Sequence, residues 1–217
     1  VPELDFNVVG VEAANRGLTP LLQFKVAVTN KPQAEQIHTV TLQTQIQLQP
    51  QQRAYSNGEK AKLVELFGTP DRWGQTLRNR LWGFSNGIVR GFVGSTEAAL
   101  AMPCTFDLNV AASKYFHALD SGEVSLLFLF SGSIFYEGAG GKLQVRQISW
   151  NKECVYRMPV AVWKTMMDHH FPNYAWLTLG REVFDRLHAY KRSIGATSWD
   201  QAVEGLLNAG AKEKAAA

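Results

Sequence analysis

Asp168, His169 and His170 stand side by side, three potential metal ligands in a row, and His117, Asp185 or His188 could complete a site. The residues around them repeat at helical spacing, and neighbours on a helix point about 100° apart. His169 and His170 therefore do not face one ion as a pair four residues apart would. Asp168 and His170 remain as metal candidates, against a structural reading in which the histidines cap the end of a helix before Pro172. Cys104 and His117 have the types of a thiol nucleophile and its base. Read as one strand, their separation of 13 positions puts them beyond hydrogen-bond reach, and Cys104 reads as buried filler. Ser131-Gly132-Ser133 lacks the GxSxG pattern, and the apolar run continues through Ile134-Phe135-Tyr136 instead of turning into a helix. Glycines 83, 87, 91 and 94 follow neither GxGxxG nor GxxxxGK[ST], so Gly83 to Ser95 reads as a mobile connection and not a phosphate loop. The residues name no catalytic group and no cofactor.

The remaining candidates are binding residues. Six tryptophans, at 73, 82, 150, 163, 176 and 199, are many for 217 residues. Most are expected in the core and no more than two exposed, with Trp73 and Trp82, beside the glycine-rich stretch, the two to inspect. Arg72, Arg78, Arg80 and Arg90 form a local basic group that reads as a solvated helix face. The whole chain carries a net charge of only +3, with acids and bases interspersed, which argues against a nucleic-acid partner. Lys114-Tyr115-Phe116-His117 lies where strand alternation blurs, as at a bulge or a recognition surface.

The elements that position these residues begin with strands. Leu4 to Val11 alternates with a slip at Val8-Val9, where a bulge is expected, and Asn15-Arg16-Gly17 is a turn. Leu22, Phe24, Val26 and Val28 mark a second strand. In a third, Val40, Leu42, Thr44, Ile46 and Leu48 oppose a polar face of Thr39, Thr41, Gln43, Gln45, Gln47 and Gln49. That ladder could hold a glycan, though a hydrated outer face accounts for it without a ligand. Ser56 opens a helix closed by Gly68, and Thr69-Pro70-Asp71 opens a second carrying Trp73, Leu77 and Leu81. Pro103 to Tyr136 reads as two long strands about Asp120-Ser121-Gly122-Glu123. The second of them, Leu126 to Phe130, is apolar at every position and so is expected to be covered on both faces. Strands at 143–150 and 154–158 follow, then helices from Pro159, from Leu179 and from the capping box Ser198-Trp199-Asp200-Gln201, the last ending near Gly210 before a frayed tail.

This order predicts an α+β fold: an antiparallel β-sandwich (1–55 and 95–158) with an inserted helical segment (56–94) and C-terminal helices (159–211), in a single domain 1–217. With 46% hydrophobic residues and 19% charged, no run long enough to span a bilayer, no secretory signal pattern at the start and two cysteines, the expectation is a cytoplasmic protein without membrane insertion.

Several words in the chain, taken together, resemble an uncharacterised bacterial family, a domain of unknown function associated with nickel-iron uptake hydrogenase gene clusters. They are Leu66-Phe67-Gly68 with Pro70 and Arg72-Trp73, Pro103-Cys104-Thr105 with Asp107, Lys114 to Leu119, Phe128 to Gly132, and Met167-Asp168 with His170 to Asn173 and Ala175-Trp176-Leu177. The resemblance implies an accessory protein that binds a hydrogenase subunit, a maturation factor or an electron-transfer partner, and it carries no catalytic residues. The expected function is therefore a non-enzymatic protein-binding or assembly module, with Arg72, Trp73, Trp82, Lys114, Tyr115 and His117 as contact residues. The alternatives are a metal-dependent enzyme or ligand-binding protein using Asp168, His169 and His170, and a carbohydrate-binding sandwich with Trp73 or Trp82 exposed beside the Gln/Thr face.

Overall fold

A computed structural model of the chain describes residues 1–14, 17–105, 110–138 and 140–216. They divide into two compact units, Val1–Tyr174 and Ala175–Ala217. The first is an α+β unit built on antiparallel sheets. One sheet has the order β1 (Glu3–Ala13), β2 (Leu21–Lys31), β5 (Ser95–Pro103). The other runs β4 (Arg80–Val93), β3 (Gln36–Leu48), β6 (Glu123–Glu137), with β7 (Leu143–Gln147) and β8 (Glu153–Pro159) end to end on the far edge of β6.

The first three strands follow from their alternation. Leu22, Phe24, Val26 and Val28 are fully buried from β2, and Val40, Leu42, Ile46 and Leu48 point inward from β3. The slip at Val8-Val9 is a bulge: the β1–β2 register skips Val9 and resumes at Gly10. The expected turn at Asn15-Arg16-Gly17 falls mostly on residues outside the described set. Rings join the two sheets. Phe6 stacks on Phe130 at 4.6 Å, Phe24 meets Phe128 at 5.1 Å, and Trp82 meets Phe24 edge-on at 6.3 Å.

Helix α1 (Asn57–Phe67) starts and stops as its sequence dictates. Ser56 and Glu59 form a reciprocal capping box, and Gly68, with φ 75°, closes the end. The helix expected from Trp73 to Leu81 is only α2 (Trp73–Thr76), entered by a 3-10 turn at Pro70–Arg72, and Leu81 belongs to β4. The chain from Gly83 to Ser95, expected to be a mobile connection, is instead the body of β4 and the crossing at Gly94 into β5. Two of its glycines, Gly83 and Gly91, have a packing cause. A side chain at Gly83 would begin 2.4 Å from the Met102 methyl of β5, so the small residue lets the two strands approach.

The long hairpin expected over 103–136 is also corrected. Pro103 ends β5, Phe106 to Asn109 lie outside the described residues, and Val110–Ala118 form helix α3. Ala112, Tyr115, Phe116 and Leu119 are buried at a spacing of three to four, a helical period that the preceding alternation obscured. Gly122, with φ 84°, does turn the chain, but from a helix into β6. Helix α4 (Val160–His170) follows β8 directly after Pro159 and buries Trp163, Met166 and Met167.

The second unit contains α5 (Arg181–Ser193) and α6 (Trp199–Ala216). The Ser198 hydroxyl accepts a hydrogen bond from the Gln201 N–H, as the capping box requires. Helix α6 continues past Gly210 through the segment expected to fray.

Strand β6 is the hub of the larger sheet, and Gly132 is its tightest point. Its φ is 135°, and a β-carbon there would lie 1.9 Å from the Thr41 carbonyl oxygen of β3. Gly132→Ala is expected to lower unfolding stability by at least about 3 kcal/mol, read from urea denaturation. A loss below about 1 kcal/mol would mean that β3 and β6 part easily at this point.

Candidate functional site

The residues singled out from the sequence go to different places. Trp73, Trp82 and Tyr115 are core residues, 7%, 3% and 2% exposed. They belong to a run of ring contacts in which Tyr55 meets Trp73, Phe67 meets both Trp73 and Tyr115, and Phe116 meets Tyr115, Trp82 and Trp163. Tyr55 donates its hydroxyl to the Pro50 carbonyl at 2.6 Å, so Tyr115 donates to the Tyr55 oxygen at 2.9 Å. Burial pushes the Tyr115 phenol up to about 12. These three side chains are therefore unavailable as a contact surface in this structure.

Arg72 is exposed at the end of its 3-10 turn, Lys114 pairs with Glu65, and His117 packs edge-on against Trp163 at 5.0 Å. Burial and the nearby Lys164 charge hold the His117 imidazole below its ordinary value, with Asp168 opposing. The four arginines do not converge. Arg80 lies over the Phe67 ring and donates to the Leu66 carbonyl, while Arg90 sits ten residues along the same strand, about 33 Å away.

His170 closes the end of α4. One ring nitrogen lies 3.0 Å from the Met166 carbonyl and the other 3.3 Å from the Gly17 carbonyl, while Asp168 and His169 are exposed. Among the described residues no three His, Cys, Asp or Glu side chains are grouped as metal ligands. Cys104 and Cys154 are free thiols. Burial pushes Cys104 up to about 12, which suits filler and not a nucleophile.

The surface that does gather exposed chemistry is the outer face of the larger sheet. The ladder expected on β3 is there, and the registers show what flanks it. Gln45 lies between Phe84 and Leu129, Gln43 between Asn86 and Ser131, Thr41 between Ile88 and Ser133. The Gln43 and Gln45 side-chain amides make no hydrogen bond among the described residues. Ser131 donates its hydroxyl to the Gln43 carbonyl, and Gln147 donates to the Ser133 hydroxyl at 3.0 Å. Phe84 is 54% exposed, and Leu81, Ile88, Val145 and Val155 are exposed around it. A shallow hollow of about 290 Å³ is lined by Gln43, Gln45, Phe84, Leu129, Ser131 and Trp150.

Trp150, 95% exposed, sits where β7 gives way to β8 beside β6. Backbone bonds pin both ends of this turn to β6: Ile148 N–H to the Gly132 carbonyl and Phe130 N–H to the Lys152 carbonyl. Charges tie the same turn to β1. Lys152 reaches Glu3 and Asp5, each at 2.8 Å, Ser149 donates to Glu3 at 2.9 Å, and Arg146 approaches Glu3 at 3.3 Å. The bond from Lys152 holds the Glu3 carboxyl below its ordinary range. It does the same for Asp5, with Lys31 adding to the effect there. Burial alone would lower Lys152, but the two carboxylates outweigh it and raise the ammonium above its usual value. Two tryptophans are exposed, as expected in number, but they are Trp150 and Trp199. The alternation had placed Trp150 at the end of a strand, although Asn151-Lys152 just after it is a turn signal.

Residues 1–215 match the sequence model of a family of unknown function, DUF6084. The chain belongs to that family. The curated proteins give no match to this DUF6084 chain. Among solved structures it is similar to the putative ApaA protein from Bordetella pertussis, with TM-score 0.29 and 12% identity over 72% of this chain and 94% of that one. It is also similar to a putative late embryogenesis abundant protein, with TM-score 0.29 and 13% identity over 73% of this chain and 72% of that one. Likenesses this slight assign no role.

The Glu3–Asp5–Lys152 tie has a definite pH sign. Carboxylates whose folded values are depressed stabilise fully above their unfolded values, and that contribution is lost as pH falls through the folded ones. The ammonium, raised in the fold, contributes below its unfolded value and ceases to do so as pH rises through its folded one. Lys152→Met is expected to be less stable than the native protein near pH 7, with the gap closing between about pH 5 and pH 2 in denaturant titrations. A gap that stays constant down to pH 2 would show that Lys152 acts through packing and not charge.

Proposed function

We propose that this DUF6084 protein is a non-catalytic binding module, that its contact surface is the outer face of the larger sheet, and that its partner is another protein. The observation that carries the reading is the exposure of Trp150, Phe84 and Ile88 around free glutamine amides on a sheet fixed by its own hydrogen bonds. Exposed aromatic anchors on a rigid scaffold are the ordinary makings of a binding hot spot. The polar groups at the centre of this face, Gln43, Gln45, Thr41, Asn86, Ser131 and Ser133, are amides and hydroxyls, which donate and accept hydrogen bonds but supply no general base near neutral pH. That favours recognition over catalysis.

The setting is part of the proposal. The resemblance to a bacterial family of nickel-iron hydrogenase gene clusters supports a hydrogenase subunit or a maturation factor as the first partner to test, and that support rests on the resemblance alone. A cytoplasmic location is proposed on the two unpaired thiols; no helix among the described residues is long and apolar enough to cross a membrane. The rival metal-dependent reading of Asp168, His169 and His170 is tested by metal analysis of the same preparation. The full tagged chain should recover a stoichiometric protein partner from its native host, and Phe84→Ser with Trp150→Ala should reduce that recovery by about tenfold or more. Equal recovery by the double variant would remove the sheet face from the proposal, and stoichiometric metal without any partner would remove the protein-binding reading itself.

One specific observation favours a second reading. A carbohydrate-binding sandwich needs an exposed tryptophan beside the Gln/Thr face, and Trp150 meets that need where Trp73 and Trp82 do not. A neutral oligosaccharide would stack a sugar ring on Trp150 and hydrogen-bond Gln43 and Gln45. Titration with neutral oligosaccharides should then quench tryptophan fluorescence in the native protein and not in Trp150→Ala. Equal quenching in both, or none in either, sinks this reading.

A further inference from the structure

The second unit, 175–217, is too small to bury much of itself. Helix α5 has no buried residue, Ala202 is the fully buried residue of α6, and Leu177, Val183, Phe184, Trp199, Leu206 and Leu207 are all exposed. About forty residues rarely make a sufficient core alone, so an apolar face of this kind calls for cover.

Two hollows mark that face. The larger, about 590 Å³, is lined by Leu177, Phe184, Leu187, Trp199 and Val203 and bears Asp200 and Glu204. The smaller, about 320 Å³, is lined by Val183, Leu187, Tyr190 and Leu206 and bears Arg186. Leu187 lines both, so they adjoin in one surface. Asp200 and Glu204 lie one turn apart on α6 and point the same way. Arg186, Asp200 and Glu204 are exposed, and none of the three has an ion-pair partner among the described residues.

We propose that this face is covered by a second copy of the same chain. A two-fold axis beside Leu187 would bring the Arg186 hollow of one copy against the acidic hollow of the other, and the reverse at the same time. An isologous interface demands that reciprocity, and here one chain carries both halves of the match. Each Arg186 guanidinium then meets an Asp200 or Glu204 carboxylate at the border of a shared four-helix contact, and the apolar side chains between are removed from water. A partner with a uniformly basic or uniformly acidic helix would satisfy one hollow and leave the other charge unpaired. The inference rests on residues of the second unit alone and shares none with the sheet face, so it stands or falls independently of the proposed function.

The test uses the full chain in sedimentation equilibrium across a concentration series. The native protein should be dimeric. Arg186→Glu, an exposed position whose change does not threaten the helix, should weaken association by about tenfold or more, because each mutation counts twice across the axis. Combining Arg186→Glu with Asp200→Arg and Glu204→Arg restores opposite signs and should recover the dimer. Leu187→Asp should abolish it while circular dichroism shows the helices retained. A monomeric native protein at about 100 μM, well above the Kd of a stable homodimer, overturns the proposal. So does a dimer indifferent to both Arg186→Glu and Leu187→Asp, which would place the contact elsewhere.

Discussion

The larger unit depends on one continuous chain of ring contacts. It starts at Phe6 on Phe130, passes along Phe128 to Phe24 and Trp82, and goes on through Phe116 to Trp163 on one side and Tyr115, Phe67, Trp73 and Tyr55 on the other. It joins both sheets to α1, α3 and α4, so the helices are fixed to the sandwich by the same residues that close it. Edge-on and offset ring geometries account for this cohesion beyond the apolar area they bury. The consequence for function is a matter of supply. Aromatic side chains committed to the column are not available to a partner, and the proposed contact surface draws instead on Trp150 and Phe84, exposed rings that the column leaves out.

Phe84 is held by the pairing of β4 with β3, and Trp150 by the geometry of β6. The strand pairs with β3 along its length on one edge and is shared between β7 and β8 on the other. Where the two short strands meet, the chain between them must loop outward, and Trp150 is on that loop. Gly132 lets β3 and β6 close up directly beside it. The turn cannot swing freely, because Ile148 and Lys152 are bonded to β6 and Lys152 and Ser149 to β1 of the other sheet. A loop tip is ordinarily more mobile than the strands it joins, and it serves as a binding site when a rigid scaffold positions it. Here backbone bonds and partly shielded charges give it the order of the sheet.

The parts of this fold that could be read from the sequence are those where a single physical signal acts alone. Strands β1 to β3 show plain alternation, and α1 carries a capping box and a closing glycine. The misreadings arose where two signals overlap. At 103–118 an alternating run precedes a helical spacing of buried rings, and the alternation masks the boundary between them. At 83–95 the glycines signalled a loop, yet at Gly83 the cause is the Met102 methyl of a strand that lies next to it only after folding. The polar side of the site, Gln43, Gln45 and Thr41, was legible for the same reason as β3. Its aromatic side was not, because Phe84 and Trp150 come from segments 39 or more residues away from Gln45 and meet it only through strand pairing.

The chemistry of the face also constrains how it would bind. Its centre, from Gln45 and Leu129 to Thr41 and Ser133, holds no charged side chain; Arg90 and Glu153 stand at its margins. Without a charged field there is little long-range steering, so association would proceed at ordinary rates and change little with salt. Discrimination between partners would fall to fit around Trp150 and Phe84 and to satisfying the Gln43 and Gln45 amides. A partner that covered those amides without hydrogen-bonding them would bear the full cost of their desolvation. On the proposed reading such a face would reject merely greasy surfaces, which would let a sheet with this much exposed apolar area remain selective.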